Sequence, residues 1–279
     1  MRDTVSFRVL RAAVLTSITA MVLLPLYVIV VSSFKPLADV SGPFTWLPDR
    51  FTLEPYVQMW STIPLARYLA NSVLVTSVST LLALTIAVLA AFSLSRLRWR
   101  GQRAFSLLVL STQMFPGILF LLPLYLIFTQ IQRTIGVQLN GSYAGLIVTY
   151  MTFSVPFATW MLMGFFAAIP DDLEEAAMVD GTTRLGAFLR VVLPVARPGI
   201  VAVGVFTFLN GWGEVLFASV LTTRETRTLA VGLQAFSTQT DVRWNEMMAA
   251  SIVISLPVLV AFLLVQRHLV QGLATGAVK

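Results

Sequence analysis

The chain has 279 residues, of which 57% are hydrophobic and only 11% are charged, and its mean hydropathy is +0.83. This composition excludes an ordinary soluble domain and is typical of a protein that crosses a membrane several times. The formal net charge of +6 does not indicate a nucleic-acid-binding protein, because the arginines stand at the ends of apolar runs and not on one polar face.

Six apolar segments are long enough to cross a bilayer, whose core of about 30 Å needs about 20 helical residues. The predicted spans are 12–33, 68–94, 104–128, 143–169, 198–220 and 247–266. The first is too long for a signal peptide and has no small-residue cleavage site after it, so we expect it to remain as a span. The sequence therefore predicts an all-α membrane protein with one domain, 1–279, and six transmembrane helices.

Arginine placement orients these spans. Arginines precede the first span and crowd the short gap between the second and third, at Arg2, Arg8, Arg11, Arg96, Arg98, Arg100 and Arg103. Because positively charged residues stay on the cytoplasmic side, we expect both chain ends in the cytoplasm. The segments 34–67, 129–142 and 221–246 then face outward, and 170–197 faces inward.

The inward segment 170–197, which we call the polar loop, is the longest of the connections predicted to face the cytoplasm. It holds five carboxylates and three arginines, and burying these eight charges at the bilayer centre would cost on the order of 20 kcal/mol, so it is not a seventh span. Asp171 and Asp172 are expected to cap a first helix, and Gly181 is expected to end it in the left-handed conformation.

A second short helix is predicted after Gly181. Either Thr182 or Thr183 would cap it, and Pro194 and Pro198 would end it as the chain re-enters the membrane. Four apolar residues fall at helical spacing on one expected side, namely Leu185, Phe188, Leu189 and Val192. Since the first helix is acidic and anionic lipid would repel it, we expect a protein partner.

Nine positions of this segment match the spacing of a known sequence motif. The pattern is Glu175-Ala176-Ala177, Asp180-Gly181, Phe188, Leu193-Pro194 and Pro198, and it resembles the E-A-A loop of permease subunits from binding-protein-dependent ABC importers. The segment "RTLAVGL" and the ending "QGLATGAVK" are similar to the maltose-type, MalG-like branch for carbohydrate uptake. One departure is visible, because Trp212-Gly213-Glu214 stands where that branch commonly has Trp-Asn-Glu.

The resemblance implies a type I ABC importer permease in the bacterial cytoplasmic membrane. Its partners would be a second, probably different, permease chain, two ATPase subunits that bind ATP and Mg, and an extracytoplasmic binding protein, with no cofactor in this chain. The loop would act as a coupling helix that docks on the ATPase through Glu174, Glu175, Ala176, Ala177, Asp180, Gly181, Phe188, Leu193 and Pro194. The substrate would be a sugar or, as the alternative, another small polar solute such as a polyol or glycerophosphate.

The residues exclude several other functions. Neither lysine follows a glycine, so the chain has no phosphate-binding loop of its own. The absence of cysteine and the single histidine, His268, argue against thiol catalysis and a paired-histidine metal site within the membrane. An ion-coupled secondary transporter would need several ionisable groups inside the spans, and only Glu214 qualifies.

Two further sets of candidate residues lie outside the loop. Five side chains are candidates for a sugar pathway: Asn71, Gln113, Asn210, Trp212 and Glu214. Helix–helix hydrogen bonds, an interfacial aromatic belt, or a position of Glu214 in outer water explain them equally well. The polar stretch Ser237, Thr238, Gln239, Thr240 and Asp241 is the candidate contact with a binding protein.

Overall fold

The computed structural model describes residues 5–97, 99–238 and 241–277, with side chains up to residue 263 and that of Gln266. The longer helices are α1 (Val5–Ser33), α4 (Leu65–Arg96), α5 (Gln102–Thr112), α6 (Leu121–Ile135), α7 (Tyr143–Ala167), α10 (Leu193–Trp212) and α13 (Trp244–Ala277). The shorter ones are α2 (Leu37–Ser41), α3 (Glu54–Thr62), α8 (Asp171–Val179), α9 (Arg184–Ala187), α11 (Leu216–Leu221) and α12 (Leu229–Gly232). The predicted all-α class is confirmed.

Six helical stretches in the described part of the chain are long and apolar enough to cross a membrane. They are Ser6–Ser33, Leu65–Arg96, Gly117–Ile135, Tyr143–Ala167, Arg184–Trp212 and Trp244–Leu263. Their number agrees with the sequence analysis. Many of their apolar side chains are exposed, as expected where lipid or a partner subunit covers the surface.

The third span differs from its predicted bounds of 104–128. α5 ends at Thr112, a non-helical stretch comes next, and a 3₁₀ turn at Gly117–Phe120 leads into α6. Pro116 explains the interruption, because proline lacks the N–H that continues a helix and disfavours helical backbone in the residue before it. The long apolar helix is therefore Gly117–Ile135, later in the chain than predicted.

The fifth span also differs, at both ends. Helical backbone begins at Arg184 and stops at Trp212, whereas the sequence predicted 198–220. The non-helical residues Gly213, Glu214 and Val215 then separate α10 from the short α11.

The chain divides into two compact units, and the first combines Met1–Ala66 with Gly232–Leu256. The segment after α1 is held by polar contacts. Lys35 is 3% exposed and its Nζ donates to the Thr45 carbonyl at 2.6 Å, and Asn245 donates to the Lys35 carbonyl at 3.3 Å. Phe34 stacks on Phe51 with ring centroids 4.8 Å apart. The contact of Asn245 with Lys35 thus holds the segment after α1 against the start of α13.

The second unit combines Arg67–Val231 with Pro257–Lys279. Its largest core is built from α4, α7 and the stretch that leads into α10. Small residues permit close packing there: a Cβ on Gly199 would lie 2.5 Å from the Phe165 ring, and one on Gly204 would lie 2.9 Å from Leu84. Such contacts are typical of helix packing within membranes.

Candidate functional site

The first helix of the polar loop, α8, ends as the sequence predicts. Gly181 has φ +92°, the Gly181 amide donates to the Met178 carbonyl at 3.1 Å, and the Thr182 amide donates to the Ala177 carbonyl at 3.2 Å. These two bonds form a Schellman motif, which requires the left-handed backbone that glycine adopts without strain. The turn therefore sets the direction in which the chain leaves α8.

The start of α8 differs from the prediction that Asp171 and Asp172 cap it. No side-chain cap is formed at Pro170, the residue that precedes the helix. Both carboxylates instead lie in the first turn, where the positive end of the helix dipole stabilises them. Asp171 also pairs with Arg96 at the end of α4.

Arg96 fixes the junction between α7 and α8. Its side chain is 3% exposed, one guanidinium nitrogen binds Asp171, and the other donates to the backbone carbonyls of Phe166, at 2.6 Å, and Ile169. A planar guanidinium can serve three acceptors in this geometry, whereas a lysine ammonium is a single point donor. Arg96 therefore joins α4 to the residues from which α8 begins. Sequence analysis treated it only as a topology determinant.

The second helix begins as predicted but does not end at the predicted prolines. The Thr183 hydroxyl accepts the Gly186 amide at 3.1 Å, so Thr183 is the cap. After α9 the chain forms a π-helix at Phe188–Val192 and runs directly into α10, which contradicts the prediction that Pro194 and Pro198 end the helix. A proline in the first turn of α10 needs no N–H partner, and the wider π turn adjusts the bonding before it.

The π turn also changes which side chains are buried. Phe188 and Val192 are 0% exposed, and the Phe188 ring lies 4.1 Å from that of Phe92, whereas Leu185 is 60% and Leu189 is 50% exposed. The prediction that all four share one face is therefore wrong. Phe188 anchors the loop in the core and presents no surface to a partner, and Leu193 packs against the same core.

The exposed side of the loop is formed by only part of the nine-position motif. Glu175, Ala176, Asp180 and Gly181 are exposed, and Ala177 is half-buried. Glu174 is 7% exposed and lies 3.8 Å from Arg184, while Pro194 is exposed beyond the loop.

Apolar residues that the sequence analysis did not select complete this surface. Leu173 is 42% and Val179 is 87% exposed, beside Leu185 and Leu189. Exposed apolar side chains grouped in one segment favour a contact with another protein. We call the exposed residues 173–189 the docking surface. The hydrophobicity of these residues was visible in the sequence, but their exposure was not.

Two of the five candidate pathway residues meet at one cavity in the second unit. The cavity has a volume of about 300 Å³. Its lining comes from the end of α5, from α7 and from α10, namely Gln113, Phe153, Ser154, Phe157, Phe206, Thr207 and Asn210. Gln113 and Asn210 are about 100 positions apart in the sequence, so only the fold reveals that they share a site.

The other three candidates lie elsewhere. Asn71 is 4% exposed and its amide donates to the carbonyls of Glu225 and Arg227 at 2.8 and 2.9 Å, so it holds the loop after α11. Trp212 is 8% exposed and stacks on Phe208. The Glu214 carboxylate accepts the amides of Phe217 and Ala218 at 2.8 and 3.0 Å, so it satisfies two amides in the first turn of α11.

The candidate binding-protein contact forms a hairpin in the first unit. Ser237 and Val242 pair as a β-bridge, and the Thr238 amide donates to the Asp241 carbonyl at 2.8 Å. Gln239 and Thr240 lie outside the described residues, as does the side chain of His268. Arg243 comes directly after the hairpin and donates to Glu246 at 3.0 Å, and this hydrogen bond raises the pKa of Arg243. Ser237, Thr238 and Asp241 are exposed, and Val242 is half-buried.

Comparison with known proteins gives a family match over most of the chain. Residues 83–275 match the family model described as "Binding-protein-dependent transport system inner membrane component". The chain is 38% identical over 259 residues to the sulfoquinovosyl glycerol transport system permease protein SmoH of Agrobacterium fabrum, which covers 92% of this chain and 89% of that protein. It is 34% identical over 270 residues to the diacetylchitobiose uptake system permease protein DasC of Streptomyces coelicolor, covering 94% and 96%.

The fold is also similar to that of a solved protein. A chain in the crystal structure of a bacterial ABC transporter involved in the import of the acidic polysaccharide alginate matches with a TM-score of 0.79. The match covers 96% of this chain and 99% of that one at 21% sequence identity, so it supports the architecture alone.

Proposed function

The chain belongs to the family of binding-protein-dependent transport system inner membrane components, and from that premise we propose that it is the permease subunit of an ABC importer for a carbohydrate. The observation that carries the proposal is the polar loop. Its acidic helix ends in the Gly181 turn, the loop is anchored through Arg96 and the buried Phe188, and one side is exposed. Relatives named for glycoside and chitobiose uptake support a carbohydrate as the substrate class.

The docking surface binds a separate ATPase subunit in this proposal. Closure of two ATPases on ATP would draw the loops of two permease chains together and open the pathway to the binding protein. The surface suits that task because α8 is held at both ends, at Arg96 and at the Gly181 turn. A stiffly held helix transmits displacement to the spans. In this assignment the chain itself has no catalytic role and binds no ATP or Mg.

The remaining partners are assigned on the same premise. A second permease chain covers the exposed apolar faces of the spans, and the hairpin 237–242 contacts the extracytoplasmic binding protein. We place both chain ends in the cytoplasm, as arginine placement indicates. A single cysteine in place of Thr183 should react with an impermeant thiol reagent only after the cells are permeabilised. Reaction in intact cells would reverse this orientation.

Uptake by the complete system tests the proposed function. Proteoliposomes with this chain, its partner permease, the ATPase and the binding protein should accumulate a labelled sugar from a panel of glucose, maltose, trehalose and N,N′-diacetylchitobiose. Accumulation should require ATP and should be insensitive to a protonophore. Uptake of sorbitol or glycerol 3-phosphate, with no uptake of any sugar, would show that the substrate is not a sugar. Uptake driven by an ion gradient without ATP would refute the importer mechanism.

Deletion of 236–241 tests the hairpin in the same assay. The variant should lose uptake while it still assembles with the ATPase. Unchanged uptake would remove the hairpin from the mechanism.

A further inference from the structure

The turn between α4 and α5 is short and is held by contacts of its own. Gly101 has φ +88°, and the Gln102 side chain donates to the Leu94 carbonyl at 2.5 Å, so the first residue of α5 is tied to the last turns of α4. The Trp99 ring packs over this turn, since a Cβ on Gly101 would lie 3.7 Å from it. We call residues 99–105 the basic turn.

The basic turn carries positive charges that have no counter-ion in the described part of the chain. Arg100 and Arg103 are both exposed, and neither forms a hydrogen bond or an ion pair with a described residue. The sequence has no Asp or Glu between Glu54 and Asp171. Arg96 differs from these two arginines, because protein acceptors occupy its guanidinium. Arg96 therefore stabilises the fold, whereas Arg100 and Arg103 are available to an external anion.

Exposed aromatic rings accompany these charges. Trp99 is 41% and Phe105 is 46% exposed, and the centroids of the two rings are 6.1 Å apart. The turn follows directly on the apolar span Leu65–Arg96, and α5 continues with the exposed Leu107 and Leu108. Tryptophan is enriched where a span leaves the hydrocarbon, and long basic side chains extend from there to the headgroups. The basic turn therefore has the composition of a surface at the membrane boundary.

The charges and the rings together select the class of ligand. A guanidinium donates two parallel N–H groups to phosphate oxygens, so arginine suits a phosphate better than a lysine does. Two arginines favour a lipid with a net negative charge over a zwitterionic lipid, whose own cation already balances its phosphate. A soluble phosphate would use the two charges but not the exposed rings, which suit the apolar part of a lipid.

We propose that the basic turn is a binding site for one anionic phospholipid. Arg100 and Arg103 bind its phosphate, and Trp99 and Phe105 contact its glycerol backbone and the start of its acyl chains. The inference goes beyond the proposed transport function and does not depend on the transported substrate. It assigns a ligand to a turn whose arginines the sequence analysis used only to orient the spans.

Photocross-linking in the assembled transporter tests the site. The complex is reconstituted in nanodiscs with a photoactivatable phosphatidylglycerol or, for comparison, a phosphatidylcholine that carries the reactive group at the same position. The measured quantity is the ratio of the two labels on peptides that contain 99–105, produced by a protease that does not cleave at arginine. This ratio should be about 25, because each of two arginines near an anionic surface should contribute about fivefold.

Substitution of single arginines checks the origin of the preference. Arg100→Gln and Arg103→Gln should each lower the ratio about fivefold, and the double variant should be labelled equally by the two lipids. Arg133 provides the matched control, since it is an exposed arginine in the last turn of α6 without a described partner. Arg133→Gln should leave the ratio at 99–105 unchanged, and peptides around Arg133 should prefer phosphatidylglycerol by no more than about fivefold.

The other outcomes would overturn the site. An equal preference at 99–105 and around Arg133 would show a general attraction of anionic lipid to arginine. Loss of the preference when inorganic phosphate replaces chloride at equal ionic strength would assign Arg100 and Arg103 to a soluble anion. Absence of either label would show that a partner subunit covers the turn. If a variant does not assemble, the wild-type ratios decide, and none of these results alters the proposed transport function, which uptake tests separately.

Discussion

At the scale of single residues, Gly181 has the clearest conformational requirement. Its φ of +92° lies where L residues with side chains are strained, yet a Cβ there would meet no atom within 4 Å. Gly136, at the end of α6, shares both properties with φ +75°. The two glycines differ in the segments they direct, since Gly181 turns the chain within the docking surface and Gly136 lies in a segment expected to face outward.

We therefore predict that Gly181→Val inserts and pairs with its partner permease but loses stimulation of ATP hydrolysis by the loaded binding protein. Gly136→Val carries a similar local cost, on the order of 1 kcal/mol or more, and should retain the stimulation. Hydrolysis by both purified complexes is the measurement. Equal loss in the two variants would assign the effect to general destabilisation, and wild-type stimulation in Gly181→Val would contradict the assigned role of the turn.

Arg96 gives a second prediction at this scale. Arg96→Lys keeps the charge but cannot serve Asp171 and two backbone carbonyls together, so stimulated hydrolysis should fall several-fold while basal hydrolysis stays unchanged. Asp171→Asn is the control, because the Asp171 side chain is 75% exposed and its ion pair contributes little. An Asp171→Asn variant as defective as Arg96→Lys would show that the ion pair, not the backbone anchor, positions α8.

At the scale of helices, the sequence predicted the number of spans better than their ends. Length and hydropathy determine how many helices can cross a bilayer, and the six that were predicted match the six long apolar helices in the described part of the chain. The ends of the helices depend on prolines and turns, which the hydropathy of a segment does not reveal. Pro116 interrupts a helix, whereas Pro194 lies in the first turn of α10, directly after the π turn, and Pro198 lies inside α10 without ending it. The same turn buries Phe188 and exposes Leu189. The cavity depends on contacts between distant helices, so the sequence indicated Gln113 and Asn210 as candidates but not that they share one site.

Glu214 was a candidate for the sugar pathway, and its position after α10 indicates a structural role instead. It lies beyond α10, and its carboxylate accepts two amides at the start of α11. We expect Glu214→Ala to lower the free energy of unfolding by about 1 kcal/mol, as loss of a helix cap does. Glu214→Gln keeps an acceptor oxygen and should transport nearly as wild type. Thermal unfolding and uptake of both variants are the measurements. A Glu214→Gln variant that is stable but inactive would instead indicate a charge required in the pathway.

At the scale of the whole molecule, the exposed apolar surfaces indicate that the chain acts within an assembly. Large apolar side chains are exposed along the spans, as on Leu81, Leu107 and Leu122, and the docking surface exposes Val179 at 87%. Lipid can cover the spans, but the docking surface belongs to an acidic segment that anionic lipid repels. A separate ATPase is the partner that the family provides, and its contact with this surface is the central claim.

Cross-linking from the docking surface tests that claim most directly. In the assembled transporter, Ala176→Cys places the only thiol of this chain on the exposed side of α8, and a short photoactivated reagent attached there should join the chain to the ATPase subunit. The same reagent on Gly136→Cys should give no such product. Mass spectrometry of the linked peptides should identify the ATPase as the partner of residue 176. Efficient labelling at 176 with cross-links only to lipid or to a permease chain would contradict the account.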